Sequence, residues 1–217
     1  MLLNIFRLLN FYCSFNTNIS LITDLKKELL HQLFFDFILK SDLFQDYGIV
    51  YTMLLESHAE QFNHIVLGKT AEFWTEKHDA CLKLTKTVES FADSSPDVII
   101  EKFTISFFKF LKEPIRILIL DLRSQQVKVV SSLLISLTEI APDQLKYLIR
   151  DVYAAIFDAV KVPSKLMSGY VDECILIMIR NATLRFIIPS IVQEICESKA
   201  GKVREKFVVC TGGIYVY

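Results

Sequence analysis

Four positive charges fall within eight residues at Lys199, Lys202, Arg204 and Lys206, in the string SKAGKVREK, with Glu205 as a partial offset. Like charges at that spacing repel, and lysines at the start of a helix oppose its dipole, so helix stability alone does not place them there. Such a cluster is suited to recognising an acidic surface. Three other strings share its character: FWTEK (73–77), DLRSQ (121–125) and VPSKL (162–166), each a short break that opens into a new apolar run. They contribute Lys77, Arg123, Ser124, Lys165 and the chain's single tryptophan, Trp74. Tryptophan is enriched among the side chains that anchor one protein in a pocket of another. The chemistry on offer is recognition by charge and by a large ring.

Each of these residues also has a plainer role open to it. Trp74 can cap the core, Asp121 can pair with Arg123 or cap the next helix, and Lys165 can be an ordinary solvated lysine. Only the breaks taken together point to a site.

Catalysis finds little support. The chain has no Walker-type glycine loop, no GxGxxG and no nucleophile elbow. Its four histidines, His31, His58, His64 and His78, show no HExxH spacing. Glu60 and His64 share a helix face, a pairing that is commonly a surface contact. We expect no catalytic residue, no cofactor and no metal. Five cysteines (Cys13, Cys81, Cys174, Cys196 and Cys210) form no CxxC pair and are odd in number. Most sit on apolar faces, as free cysteines do, and imply a reducing, cytoplasmic compartment.

The formal net charge of −1 excludes a broad coat of nucleic acid or anionic membrane, so electrostatic recognition must be local. Hydrophobic residues make up 52% of the chain. Charge nevertheless cuts every apolar run before the ~18 residues that a membrane span needs. The richest, 115–122, carries Arg116 and Asp121. The first residues, MLLNIFRLLNFYCSF, look faintly like a signal peptide, but Arg7 interrupts the apolar part and no clear cleavage site follows.

What must position the breaks is helix. Apolar residues recur at three- and four-residue spacing almost throughout, and six glycines and five prolines leave little turn chemistry for a sheet. The pattern predicts helices at about 1–14, 22–40, 44–67, 72–91, 97–120, 124–140, 143–160, 164–181, 184–197 and 202–210. Ser94-Ser95-Pro96-Asp97, Ala141-Pro142-Asp143 and Val162-Pro163-Ser164 each predict a break followed by an N-cap. Pro114 is expected to kink or split the helix at 97–120. From Asp97 onward the helices come in pairs of about 18 residues per helix with a period near 42, as in a HEAT-like α-solenoid. An ordinary all-α bundle would usually show one apolar stripe per helix and no period.

On these residues the chain resembles the TOG domain of the cytoplasmic linker-associated proteins (CLASP). The matching strings are LKEPIRILILDLRSQQVKVVSSLLISLTEIA, VPSKLMSGYVDECILIMI and SKAGKVREK, and the segment around Trp74 stands as a first repeat. The resemblance covers roughly 65–207 and implies an array of antiparallel helix pairs that binds αβ-tubulin through its intra-repeat loops. Trp74 and Lys77 would form the first binding loop, Arg123 and Ser124 the second, Lys165 the third, and Lys199, Lys202 and Arg204 the fourth. The implied role is a microtubule regulator of the cytoplasmic cytoskeleton that favours rescue or suppresses catastrophe, acting with further modules of a larger protein.

Two departures stand out. The family's array continues for two further helix pairs, whereas this chain ends in FVVCTGGIYVY, so 208–217 is expected to be an irregular tail after a truncated last repeat that frays beyond about Glu194. Residues 1–64 match no family segment and are expected to add helices ahead of the first repeat. The alternative function is a general HEAT scaffold that binds a non-tubulin partner on its concave helix faces. A small all-α enzyme has no residue to motivate it.

Overall fold

The computed structural model describes residues 47–182, 187–199 and 201–212. Among them the chain is all-α, as expected, with no strand. The helices are α1 (Tyr47–Gly68), α2 (Trp74–Glu89), α3 (Pro96–Lys102), α4 (Ile105–Ile119), α5 (Ser124–Ile140), α6 (Lys146–Val160), α7 (Lys165–Asn181), α8 (Ile188–Glu197) and α9 (Gly201–Gly212). A single turn of 3-10 helix, Ala71–Phe73, leads into α2. The helices expected at 1–14 and 22–40 lie outside the described residues. Helix α1 crosses position 64, and its Leu55, Ala59, Phe62 and Val66 belong to the same core as the later helices.

The helices form two rows. In one, α5 packs against α2 on one side and α7 on the other, and α7 packs in turn against α9. In the other, α4 packs against α6. Side-chain contacts fix the directions. Gln126, early in α5, bonds the carbonyl of Trp74 at the start of α2, while Ser136 donates to Glu89 (3.1 Å) near both C-termini. Early in α5 and α7, the Lys128 ammonium lies 6.0 Å from the Tyr170 ring. Thus α2, α5 and α7 run parallel. Helix α1 crosses α2 antiparallel, with Lys83 on Gln61 (3.2 Å) and His58 on Thr87 (2.7 Å).

Helix α5 sits at the centre and is buried nearly all round: 11 of its 17 residues are buried. A helix in that position cannot be strictly amphipathic. Two of its buried hydroxyls reach back along the helix: Thr138 donates to the Leu134 carbonyl (2.7 Å), and Ser136 shares its proton between Glu89 and the Ser132 carbonyl (3.1 Å). Burying a valine or leucine of this kind contributes about 1.5–3 kcal/mol. Phenylalanines close the corner between α2 and α4. Phe91, Phe103, Phe107 and Phe108 form a ladder of edge-to-face contacts with centroids 5.5, 5.4 and 5.1 Å apart.

The single helix expected at 97–120 is instead two, and the break falls at Phe103–Thr104 rather than at Pro114. Thr104 caps α4 by accepting from the Phe107 amide (3.3 Å). Pro114 stays inside α4. A proline removes the donor that would serve the carbonyl four residues back, here that of Phe110. That carbonyl accepts instead from Asn63 Nδ2 of α1 at 2.7 Å, so the bond α4 lost becomes a tie between helices.

Two other boundaries differ from expectation. Asp143 is not the cap of α6: a turn over 142–145 carries the buried Leu145 into the N-cap position. Helix α9 continues through Val208–Gly212, inside the stretch expected to be irregular. Its buried Val203 and Phe207 are four residues apart on one face, and Phe207 packs edge-to-face on Phe157 at 4.9 Å.

Candidate functional site

Because the rows are joined by short turns, the loops α1–α2, α4–α5 and α6–α7 emerge at one edge, beside the N-termini of α2, α5 and α7. The C-termini of α1, α4 and α6 lie at the same edge, so the opposed helix dipoles largely cancel there. Side chains must supply any net charge. The α8–α9 loop continues this series, with α9 packed on α7 and Lys206 bonded to Asp172 at 2.8 Å.

At the first loop Trp74 is the first residue of α2 and is 36% exposed, with Phe73 exposed beside it. Lys77 departs from the expected role. It is 7% exposed, since the third residue after Trp74 on this helix turns toward the interior, and it offers a partner little surface. The cation on view is Lys69, paired with Glu76 and 5.4 Å from the Phe73 ring centroid.

At the second loop Asp121 accepts from the Arg123 backbone amide (2.8 Å) and from its guanidinium (3.4 Å). This local turn holds the loop and spends most of the Arg123 charge on its neighbour. Ser124 is half-buried as the first residue of α5. Between them Leu122 is 92% exposed. Charge and turn residues drew attention to this loop, yet its most accessible apolar group is the leucine inside DLRSQ. The signal was a leucine bounded on both sides by charge, off the apolar register of α4 and α5.

The third loop presents Lys165 and Leu166, both exposed. No ion pair engages Lys165 among the described residues. Ser164 caps α7 by accepting from the Met167 amide (3.4 Å), which fixes the pair at the helix start. At the fourth, Lys199 and Arg204 are exposed, and Arg204 donates to the Ser198 carbonyl (2.6 Å), closing the loop onto α9. Lys202 lies in α9, and its side chain is outside the described residues.

The edge therefore changes along its length. Its first half is an apolar surface with self-paired charges, Lys69–Glu76 and Arg123–Asp121. Its second half carries Lys165 and Lys199, cations that make no such pair among the described residues. Gln126 joins the first two loops from beneath: it is fully buried and its amide donates to the Trp74 carbonyl, while its Oε1 meets no partner among the described residues.

No group of three or more metal-ligating side chains occurs among the described residues. The buried thiols of Cys81 and Cys174 are pushed up by burial, that of Cys174 to about 12, which disfavours their thiolates. No described helix is long and apolar enough to cross a membrane. No protein-family model matches the chain, and no curated protein matches it either.

Proposed function

We propose that this chain is a HEAT-like helical-repeat module that binds αβ-tubulin along its loop edge, as part of a cytoplasmic microtubule regulator. The observation that carries the reading is the row of exposed Trp74, Leu122 and Leu166 running into Lys165, Lys199 and Arg204. The apolar surface left exposed at these tips adds nothing to the isolated fold. Covering the most exposed of them, Leu122, in a partner would contribute about 1.5–3 kcal/mol. Tubulin is strongly acidic, so unpaired cations beyond the apolar tips would steer the approach and set the orientation. The resemblance of the loop strings to TOG domains supplies the identity of the partner, and the geometry supports a binding edge there. In this reading Lys77 keeps a structural role, and Leu122 and Leu166 join the contact residues.

Size-exclusion co-elution with unpolymerised αβ-tubulin at low salt tests the proposal. The wild-type chain is expected to co-elute, and Trp74→Ala with Leu122→Ala to weaken binding by about tenfold or more. Charge reversal at Lys165 and Lys199 is expected to abolish the residual shift and its salt dependence. A folded wild-type protein that does not co-elute, or binding that survives all these substitutions, would refute it.

A further inference from the structure

Away from the loop edge, the row formed by α4 and α6 carries a groove of about 860 Å³ between the two helices. Its walls include Ile105 from α4 and Tyr147 from α6, both large, apolar and exposed, at 51% and 37%. Further along stand Lys112 and Asp151, which pair with each other across the groove. Two more cations line it, Lys146 and Arg150. Lys146 rests over the Tyr147 ring at 5.3 Å, and no ion pair engages it or Arg150 among the described residues.

Those two cations are poorly placed for the fold. Lys146 and Arg150 lie four residues apart on one face of α6, the spacing at which like charges repel on a helix. Lys146 is also the first residue of the helix, where the dipole disfavours positive charge. Lys112 cannot be counted with them, because Asp151 neutralises it. The groove thus has one apolar end, one satisfied ion pair and two uncompensated cations. An anionic occupant with one apolar side chain would relieve both the repulsion and the exposure.

We propose that the α4–α6 groove is a second docking site, taking an extended acidic peptide segment that sets one apolar side chain against Ile105 and Tyr147 and its carboxylates on Lys146 and Arg150. A peptide fits better than a membrane or a nucleic acid, because the cations are two, confined to one groove, and adjoin an apolar floor. A flat anionic surface would call for a broad basic face. This site does not depend on the tubulin reading.

The test is fluorescence anisotropy of the full chain with a short labelled peptide of glutamates flanking one phenylalanine, across a salt series. The comparison probes are the same peptide with lysines for glutamates, a labelled single-stranded oligonucleotide, and anionic phospholipid vesicles. Saturable binding of the acidic peptide alone is expected, weakened about tenfold in Lys146→Glu/Arg150→Glu and more modestly in Tyr147→Ala. A carboxylate at the first residue of α6 favours the helix, so the reversed variant is expected to fold, and circular dichroism checks this. Lys146→Gln/Arg150→Gln provides the charge-neutral counterpart. Lys165→Glu/Lys199→Glu, at the loop edge, is expected to bind the peptide as wild type does. Absence of saturable binding, unchanged binding in both α6 variants, loss in the loop-edge variant instead, or preference for oligonucleotide or vesicles would each overturn the proposal.

Discussion

The centre of the molecule and its last helix pair use the same pattern of two helices joined by a short turn, yet they are built to different depths. Helix α5 buries side chains on almost every face, and α4 and α6 each bury a continuous stripe. Within α8 only Ile191 is buried, and α9 adds Val203 and Phe207. Between α6 and α8 lies a cleft of about 410 Å³, bridged by Lys161 from the end of α6 to Glu194 of α8 at 2.7 Å. The hydrogen bond to Glu194 raises the Lys161 pKa and keeps its ammonium charged. An exposed ion pair replaces here what apolar packing does at the centre. Stability is not uniform across a fold, so equal topology does not mean equal cooperativity.

The largest effect expected from this contrast is at Phe107, in the middle of the phenylalanine ladder. Phe107→Ala should destabilise the whole described fold by about 3–5 kcal/mol, measured by urea denaturation. Phe207→Ala should act more locally, with its main signature in faster amide exchange of α8 and α9. Amides of α8 and α9 protected in the wild type as strongly as those of α5 would break the comparison.

A smaller loss probes whether the first pair belongs with the centre. Asn63→Ala strips the Phe110 carbonyl of its donor, leaving a bond that Pro114 cannot remake. A cost of about 1–3 kcal/mol is expected. A cost near zero would mean that this tie between α1 and α4 contributes nothing to the packing.

The neighbouring seam, between α1 and α2, supplies a pH dependence. Burial, helped by the Lys83 charge, lowers the His58 pKa from 6.5 to about 4. The unfolded chain then binds a proton that the native state refuses. The contribution of His58 is therefore fully present above about pH 6.5 and is lost as pH falls toward 4. Urea midpoints of wild type and His58→Gln, compared at pH 7 and pH 5, should converge on the acid side, and parallel curves would exclude this linkage.

The smallest effect is predicted for Lys161→Gln. An exposed bridge of this kind is worth about 0–1 kcal/mol. Its loss should be visible in exchange from α8 and nearly silent in global unfolding. A loss shared equally by α5 would show that the cleft is not a weak seam.

Much of the helical order was legible because three- and four-residue apolar spacing is a local signal: α5, α7 and the turn at Ser164 fall within a residue of expectation. What escaped depends on partners remote in sequence. Pro114 advertises a broken helix, but Asn63 repairs the damage from another element. The sequence marks Lys77 as an exposed charge because lysine usually is, and only the rotation of α2 against its neighbours turns it inward. Leu122 gives the opposite impression, since a leucine between apolar helices is ordinarily core. The edge itself follows from short turns between paired helices, whereas its division into self-paired and unpaired halves required the side-chain contacts.

The tie between Asn63 and Phe110 also bears on how the chain can be cut. A fragment that begins after Gly68, at the boundary the loop strings would invite, leaves α4 with a carbonyl that no backbone group can reach. It also strips Leu55, Ala59, Phe62 and Val66 from the core they share with it. The shortest piece worth expressing therefore starts before α1, and a clone trimmed to begin at the first loop string would be expected to yield inclusion bodies.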